Sequence, residues 1–204
     1  MLENQREWLP KGWFPKDELR GIMTAFVESG WDLIAAPART YFSGDYDREA
    51  LIAAIRQAEI VTGEGILAMM KASKPGMYEY QYKAEFDYAL SQHSPCGPGF
   101  PSIISAGANN FCIHYYSYTG QAHDGDMILN DVGAQHDSLM TDVSRGFPCN
   151  GRFTDRQKLL YNCALETSNY MFSIIRPGMK MADVDKTVRE YNAKLLVEAG
   201  VMES

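Results

Sequence analysis

The unit helix–Pro-Gly-Met–helix occurs twice in this chain, at Pro75-Gly76-Met77 and again at Pro177-Gly178-Met179. Proline cannot extend a helix, and glycine reaches the left-handed backbone that ends one, so each site reads as a helix stop with a second helix behind it. A duplication with this period of about 100 residues would give one domain with two-fold pseudo-symmetry, because solenoid repeats recur every 20–50 residues. Two such stops can also coincide without duplication, and the sequence leaves both readings open. Only 25 residues follow Met179. If the repeat is real, the β half that follows the first copy is missing behind the second.

Around these stops the hydrophobic period sets the elements. Leu51, Ile52, Ile55, Ala58 and Ile60 recur at helical spacing and predict a helix running to about Lys71, in spite of Gly63 and Gly65. A second helix is predicted from Glu79 to Ser91, with Tyr82, Phe86, Ala89 and Leu90 on one side. Between Pro95 and Phe153 the texture turns to β. Ser102–Ser105, Phe111–Tyr118, Met127–Gly133 and Leu139–Phe147 read as strands, with Asp124-Gly125 as a turn between the second and third. Thr154 with Gln157 three residues on is a capping box that opens a helix to about Ile175, and a last helix runs from Met181 to Glu198. The fold class is therefore α+β. Residues 1–46 hold all three tryptophans, a helical patch from Leu19 to Val27 and a short strand from Trp31 to Pro37. They are set apart as an N-terminal extension or the remnant of an N-terminal domain, with the domain proper at 47–204.

Composition narrows the function. With 46% hydrophobic residues the chain reads as globular, and its net charge of −7 without any basic run excludes a phosphate-tracking nucleic-acid binder. No apolar stretch approaches the length of a membrane span, and the run Met1 to Trp8 is too polar for a signal peptide. Cys96, Cys112, Cys149 and Cys163 stand singly, without the close pairs of a structural zinc site. The expectation is a cytoplasmic protein with reduced thiols, bound to neither nucleic acid nor membrane.

The chemistry concentrates on Asp131 and Asp142. A hairpin centred between His136 and Asp137 would set the two carboxylates directly opposite one another, with Cβ atoms about 4.5–5.5 Å apart. Ile128, Leu129, Val132 and Val143 surround them, and like charges in an apolar setting need a shared proton or a cation between them. A bland alternative pairs Asp142 with Arg145. His114 falls in the predicted strand Phe111–Tyr118, on the same face as Cys112 and Tyr116, where it could reach the same cavity or serve as an ordinary hydrogen-bonded core residue. Asp124 and Asp126 are turn residues, and His136 and Asp137 sit at the hairpin tip.

From about Asp47 onward the chain resembles the catalytic domain of Xaa-Pro aminopeptidases and prolidases, the pita-bread metallopeptidases that include methionine aminopeptidase and creatinase. The matching segments are Lys74-Pro75-Gly76-Met77-Tyr78-Glu79-Tyr80, Phe100-Pro101-Ser102, Cys112-Ile113-His114-Tyr115, Asn130-Asp131-Val132-Gly133, Asp142-Val143-Ser144-Arg145-Gly146-Phe147-Pro148 and Asn150-Gly151-Arg152-Phe153-Thr154. The resemblance implies the first half of a pita-bread fold, a curved antiparallel sheet with flanking helices. It implies that Asp131 is the first metal-binding aspartate, that Asp142 bridges two divalent ions (Mn, Co or Zn), and that His114 contacts the substrate at the scissile bond. The implied nucleophile is a metal-bridging water, and the substrate a peptide with proline in second position. Asn130 and Val132 depart from the apolar residue and the alanine that usually flank the first aspartate.

The remaining ligands of such a site, one histidine and two glutamates, would lie beyond residue 204. The expectation is a chain that is inactive alone: a truncated peptidase or one half of a split enzyme, its metal occupancy doubtful. The alternative is a non-enzymatic binding module built on the same fold. Unpaired sheet edges favour a homodimer or a complementing chain.

Overall fold

The computed structural model describes residues 48–93 and 96–203. The helix predicted at Leu19–Val27, the strand at Trp31–Pro37 and the extension 1–46 as a whole lie outside the described residues. Four helices and five short strands follow in the order α1 (Arg48–Ala72), α2 (Glu79–Ser91), β1 (Ile103–Ala106), β2 (Met127–Val132), β3 (Gln135–His136), β4 (Leu139–Met140), β5 (Val143–Pro148), α3 (Asp155–Ile174) and α4 (Met181–Glu198). The α+β expectation holds, and both Pro-Gly stops behave alike. Gly76 and Gly178 take φ of 87° and 88° between consecutive helices.

The antiparallel sheet has the order β1-β2-β5, and β3 and β4 form a separate two-stranded ribbon. Side chains alternate across a strand. One face of the sheet therefore carries Ile104, Ala106, Ile128, Val132 and Phe147 into a core shared with Val61, Ile66 and Met69 of α1 and Tyr82, Phe86 and Leu90 of α2. Gly65, an anomaly in the helical pattern, is explained by packing. A Cβ there would stand 2.5 Å from the Phe86 ring, so glycine lets α2 lie close against α1. The opposite face of the sheet carries Leu129 and Asp131, both half-buried.

Three strand predictions change. Phe111–Tyr118 is not a strand: a 3-10 turn at Gly107–Phe111 leads into an irregular loop. β1 takes the place beside β2 that this segment would have filled. Asparagine side chains hold the turn instead, with Asn110 Nδ2 donating to the Met127 carbonyl at 2.8 Å and Ser105 Oγ donating to Asn110 Oδ1 at 2.7 Å. Further along, Tyr118–Ala122 runs beside Gly76–Tyr80, joined by the Glu79 N–H to the Gly120 carbonyl (2.9 Å) and the Ala122 N–H to the Met77 carbonyl (2.9 Å). Leu139–Phe147, read as one strand, is broken at Thr141-Asp142 into β4 and β5.

The third change is the hairpin centre. Its register pairs His136 with Leu139 and Asp131 with Ser144, so the turn lies at Asp137-Ser138. Those two residues have φ of 51° and 64°. A two-residue hairpin turn of this kind needs left-handed backbone at both central positions, which aspartate tolerates.

The capping box forms as read: Gln157 N–H donates to Thr154 Oγ1 at 3.2 Å and Thr154 N–H to Gln157 Oε1 at 2.8 Å. Helices α3 and α4 pack chiefly on each other, with Tyr170 stacked on Tyr191 at 4.0 Å between ring centroids. Cys163 and Val184 are their buried residues. No helix among the described residues is long and apolar enough to cross a membrane.

Candidate metal site

Asp131 sits on β2 opposite Ser144, not opposite Asp142 as the sequence reading had it. The turn has moved by one residue, so the opposition is lost but the face is kept, and Asp142 becomes the diagonal neighbour of Asp131. Ser144 Oγ donates to Asp131 Oδ1 at 2.7 Å. The Asp142 carboxyl hydrogen-bonds to that of Asp131. Desolvation comes first, then the Asp131 charge and that hydrogen bond, and together they hold Asp142 above the ordinary carboxylate range. Two carboxyl groups in such contact repel once both are ionised, and a proton or a cation between them would relieve that repulsion.

The setting is less apolar than expected. Asp142 is exposed and Asp131 half-buried, because Val132 points to the opposite, core-facing side of the sheet with Ile128. Arg145 does not pair with Asp142 either; its guanidinium donates to the Ser144 carbonyl at 2.8 Å.

The break between β4 and β5 places Asp142. Gly133 follows β2, and a Cβ there would stand 1.7 Å from the Thr141 carbonyl oxygen, so only glycine admits this approach. Thr62 then ties the break to the middle of α1. Its buried hydroxyl donates to the Ala58 carbonyl at 2.8 Å, accepts the Ala134 N–H at 2.8 Å and lies 2.8 Å from Thr141 Oγ1.

His114 is not in a strand. It lies exposed in the loop after the 3-10 turn, with φ of 56° and its ring nearly parallel to Tyr116 at 6.5 Å. It does not join the two aspartates in a metal-holding group. Among the described residues no three His, Cys, Asp or Glu side chains gather as one could expect around an ion.

A close carboxylate pair, oriented by a hydroxyl donor, suits a hard divalent cation, which would offset both charges. The donor set fits as part of a site and falls short of a whole one. Sequence reasoning missed Ser144, Thr62 and Gly133. A glycine at the end of the strand, two residues after Asp131, was the available signal, since glycine there marks a close backbone approach. Thr62 carried no signal, because its partners are 72 and 79 residues away in sequence.

Comparison with known proteins agrees with the sequence resemblance. The profile of Metallopeptidase family M24 matches residues 53–202. The Xaa-Pro aminopeptidase of Escherichia coli is 30% identical over 151 residues, which is 74% of this chain and 34% of that protein. The Xaa-Pro dipeptidase of Homo sapiens is 28% identical over 167 residues, covering 79% of this chain and 33% of its own length. Among solved structures, Zn-substituted E. coli aminopeptidase P in complex with product gives a TM-score of 0.73 at 28% identity, over 78% of this chain and 36% of that one. A proposed aminopeptidase P from Bacillus anthracis gives 0.76 at 29% identity, over 95% and 46%. The fold is thus part of the pita-bread fold of aminopeptidase P, and the chain spans about a third of the length of the curated relatives it matches.

Proposed function

Because the chain belongs to metallopeptidase family M24, we propose that residues 47–204 supply the first half of a pita-bread domain that hydrolyses the peptide bond before a proline in second position. Asp131 and Asp142 are one wall of its dinuclear site, and residues 1–46 are an extension or the remnant of a further domain. The observation that carries this reading is the close approach of the two carboxylates on the half-exposed face of the sheet, with Asp131 oriented by Ser144.

Each residue has a definite task. Ser144 fixes the rotamer of Asp131 by donating to Oδ1. Thr62 and Gly133 set the backbone from which Asp142 reaches its partner. His114, held out on its loop, contacts the substrate beside the scissile bond. Divalent ions bound at the pair (Mn, Co or Zn) supply Lewis acidity to the carbonyl and lower the pKa of water into the neutral range. Among the described residues no third ligand joins the pair, so the two aspartates do not complete the site by themselves.

The partner is a second copy of the chain, or a complementing segment, and only the latter brings the histidine and glutamate ligands. Cys112, Cys149 and Cys163 form no disulfide, which supports a reducing compartment such as the cytoplasm. Hydrolysis of an Xaa-Pro tripeptide with Mn²⁺ tests the reading, measured on these residues alone and joined to a histidine- and glutamate-bearing segment. Turnover in the joined protein, lost in Asp131→Asn, supports it. No turnover in the joined protein, or turnover that survives Asp131→Asn, refutes it. The second reading is a binding module without catalysis, favoured by the missing third ligand; it predicts that Asp131→Ala leaves partner binding intact.

A further inference from the structure

The loop that carries His114 has little to hold it in place except at its base. Phe111 is 92% exposed and Ile113 85%. His114 and Tyr118 both take left-handed backbone, with φ of 56° and 53°, a conformation that costs energy for residues other than glycine. Besides backbone bonds and the Asn110 and Tyr118 side chains, one carboxylate ties both ends of that base. Glu79, the first residue of α2, is fully buried. Its Oε1 accepts the Ala106 N–H at 2.8 Å and Asn109 Nδ2 at 2.9 Å, and its Oε2 accepts the Gly120 N–H at 2.7 Å.

Ala106 and Gly120 are the two ends of the loop, so one side chain closes it from both sides. Asn109 Nδ2 also donates to the Tyr115 hydroxyl at 3.0 Å, which extends the network to the residue next to His114. Gly120 completes the fit: a Cβ there would stand 2.6 Å from Glu79 Oε1 and 2.5 Å from Asn109 Nδ2.

No ion pair to Glu79 forms among the described residues, so three N–H donors stabilise the buried carboxylate. Only a carboxylate fits all three. Glutamine would turn an NH₂ group toward one of the N–H donors, and aspartate is one methylene too short to reach both ends. The sequence held a sign of this: Glu79, Tyr82, Phe86 and Leu90 share one helical face, which puts an acid on the buried stripe.

We infer that Glu79 is a positioning residue for His114, clamping both ends of the loop that presents it. The relevance to catalysis rests on the reading of His114 as a substrate contact; the clamp itself does not.

Hydrogen exchange of residues 107–120 and histidine side-chain NMR on the full 204-residue chain test it, with His93 and His136 as internal controls. Glu79→Gln is expected to speed exchange across the loop on the order of tenfold or more, and to shift the His114 resonances while those of His93 and His136 stay. Asn109→Ala, which removes one arm at the part-buried rim, is expected to move His114 in the same direction by less. If Glu79→Gln unfolds, the control histidines collapse too, and Asn109→Ala then decides. An unmoved His114 in Asn109→Ala, or in a folded Glu79→Gln, overturns the inference. Neither result depends on metal or turnover, so failure of the clamp and failure of the peptidase reading are separable.

Discussion

At the scale of single residues, Asp131 and Asp142 show how a wrong register can still leave two side chains on one face. The turn lies one residue later than the alternation implied, but a one-residue shift of a hairpin centre preserves the facing of both strands. The carboxylates therefore still meet. A group whose folded pKa is raised, as that of Asp142 is, stabilises the fold at low pH and loses that contribution as pH rises through the raised value. Asp142→Asn removes the repulsion, so the metal-free variant should be more stable than the parent at pH 7. The gain should stay under about 1 kcal/mol, because the group is exposed and solvent screens it. Urea denaturation without metal reads this directly. Gly133→Ala should act oppositely and more strongly. A Cβ 1.7 Å from the Thr141 carbonyl forces the backbone apart, with an expected loss of about 3 kcal/mol or more.

At the scale of elements, the helices were legible and the loops between strands were not. Both Pro-Gly stops, the capping box at Thr154 and the apolar stripe of α2 are local signals, and each stands where the sequence put it. Phe111–Tyr118 failed because its aromatic and β-branched residues favour a strand only where a neighbouring strand is free to pair. β2 is already paired on both sides, with β1 and β5. The break at Thr141-Asp142 was invisible for a similar reason, since it is fixed from α1 by the Thr62 hydroxyl. Thr62→Val should cost about 1–3 kcal/mol by leaving the Ala134 N–H and Thr141 hydroxyl without their buried partner. In the core, burial raises the pKa of Tyr82 above its ordinary 10.0 more than the Ser73 hydrogen bond lowers it. Its contribution is complete below pH 10 and lost as pH climbs through the raised value, so Tyr82→Phe should flatten the alkaline fall in stability.

At the scale of the whole molecule, the two halves of the described structure differ. Helices α1 and α2 bury seven and four residues, although Ile60 and Leu67 stay exposed, whereas α3 and α4 bury one each and leave Leu165 and Phe172 exposed at 48% and 67%. Strands β1 and β5 are the outer edges of the sheet. Surfaces of this kind seek a partner, and light scattering after size exclusion should give a mass above the 22.9 kDa of one chain.

The decisive measurement is a calorimetric titration of the 204-residue chain with Mn²⁺ or Co²⁺, in parallel with the Asp131→Asn/Asp142→Asn double variant. If the pair is one wall of a dinuclear site, the parent binds a cation weakly and the double variant does not. Tight binding of two ions by the parent, or binding that the double variant retains, would contradict it.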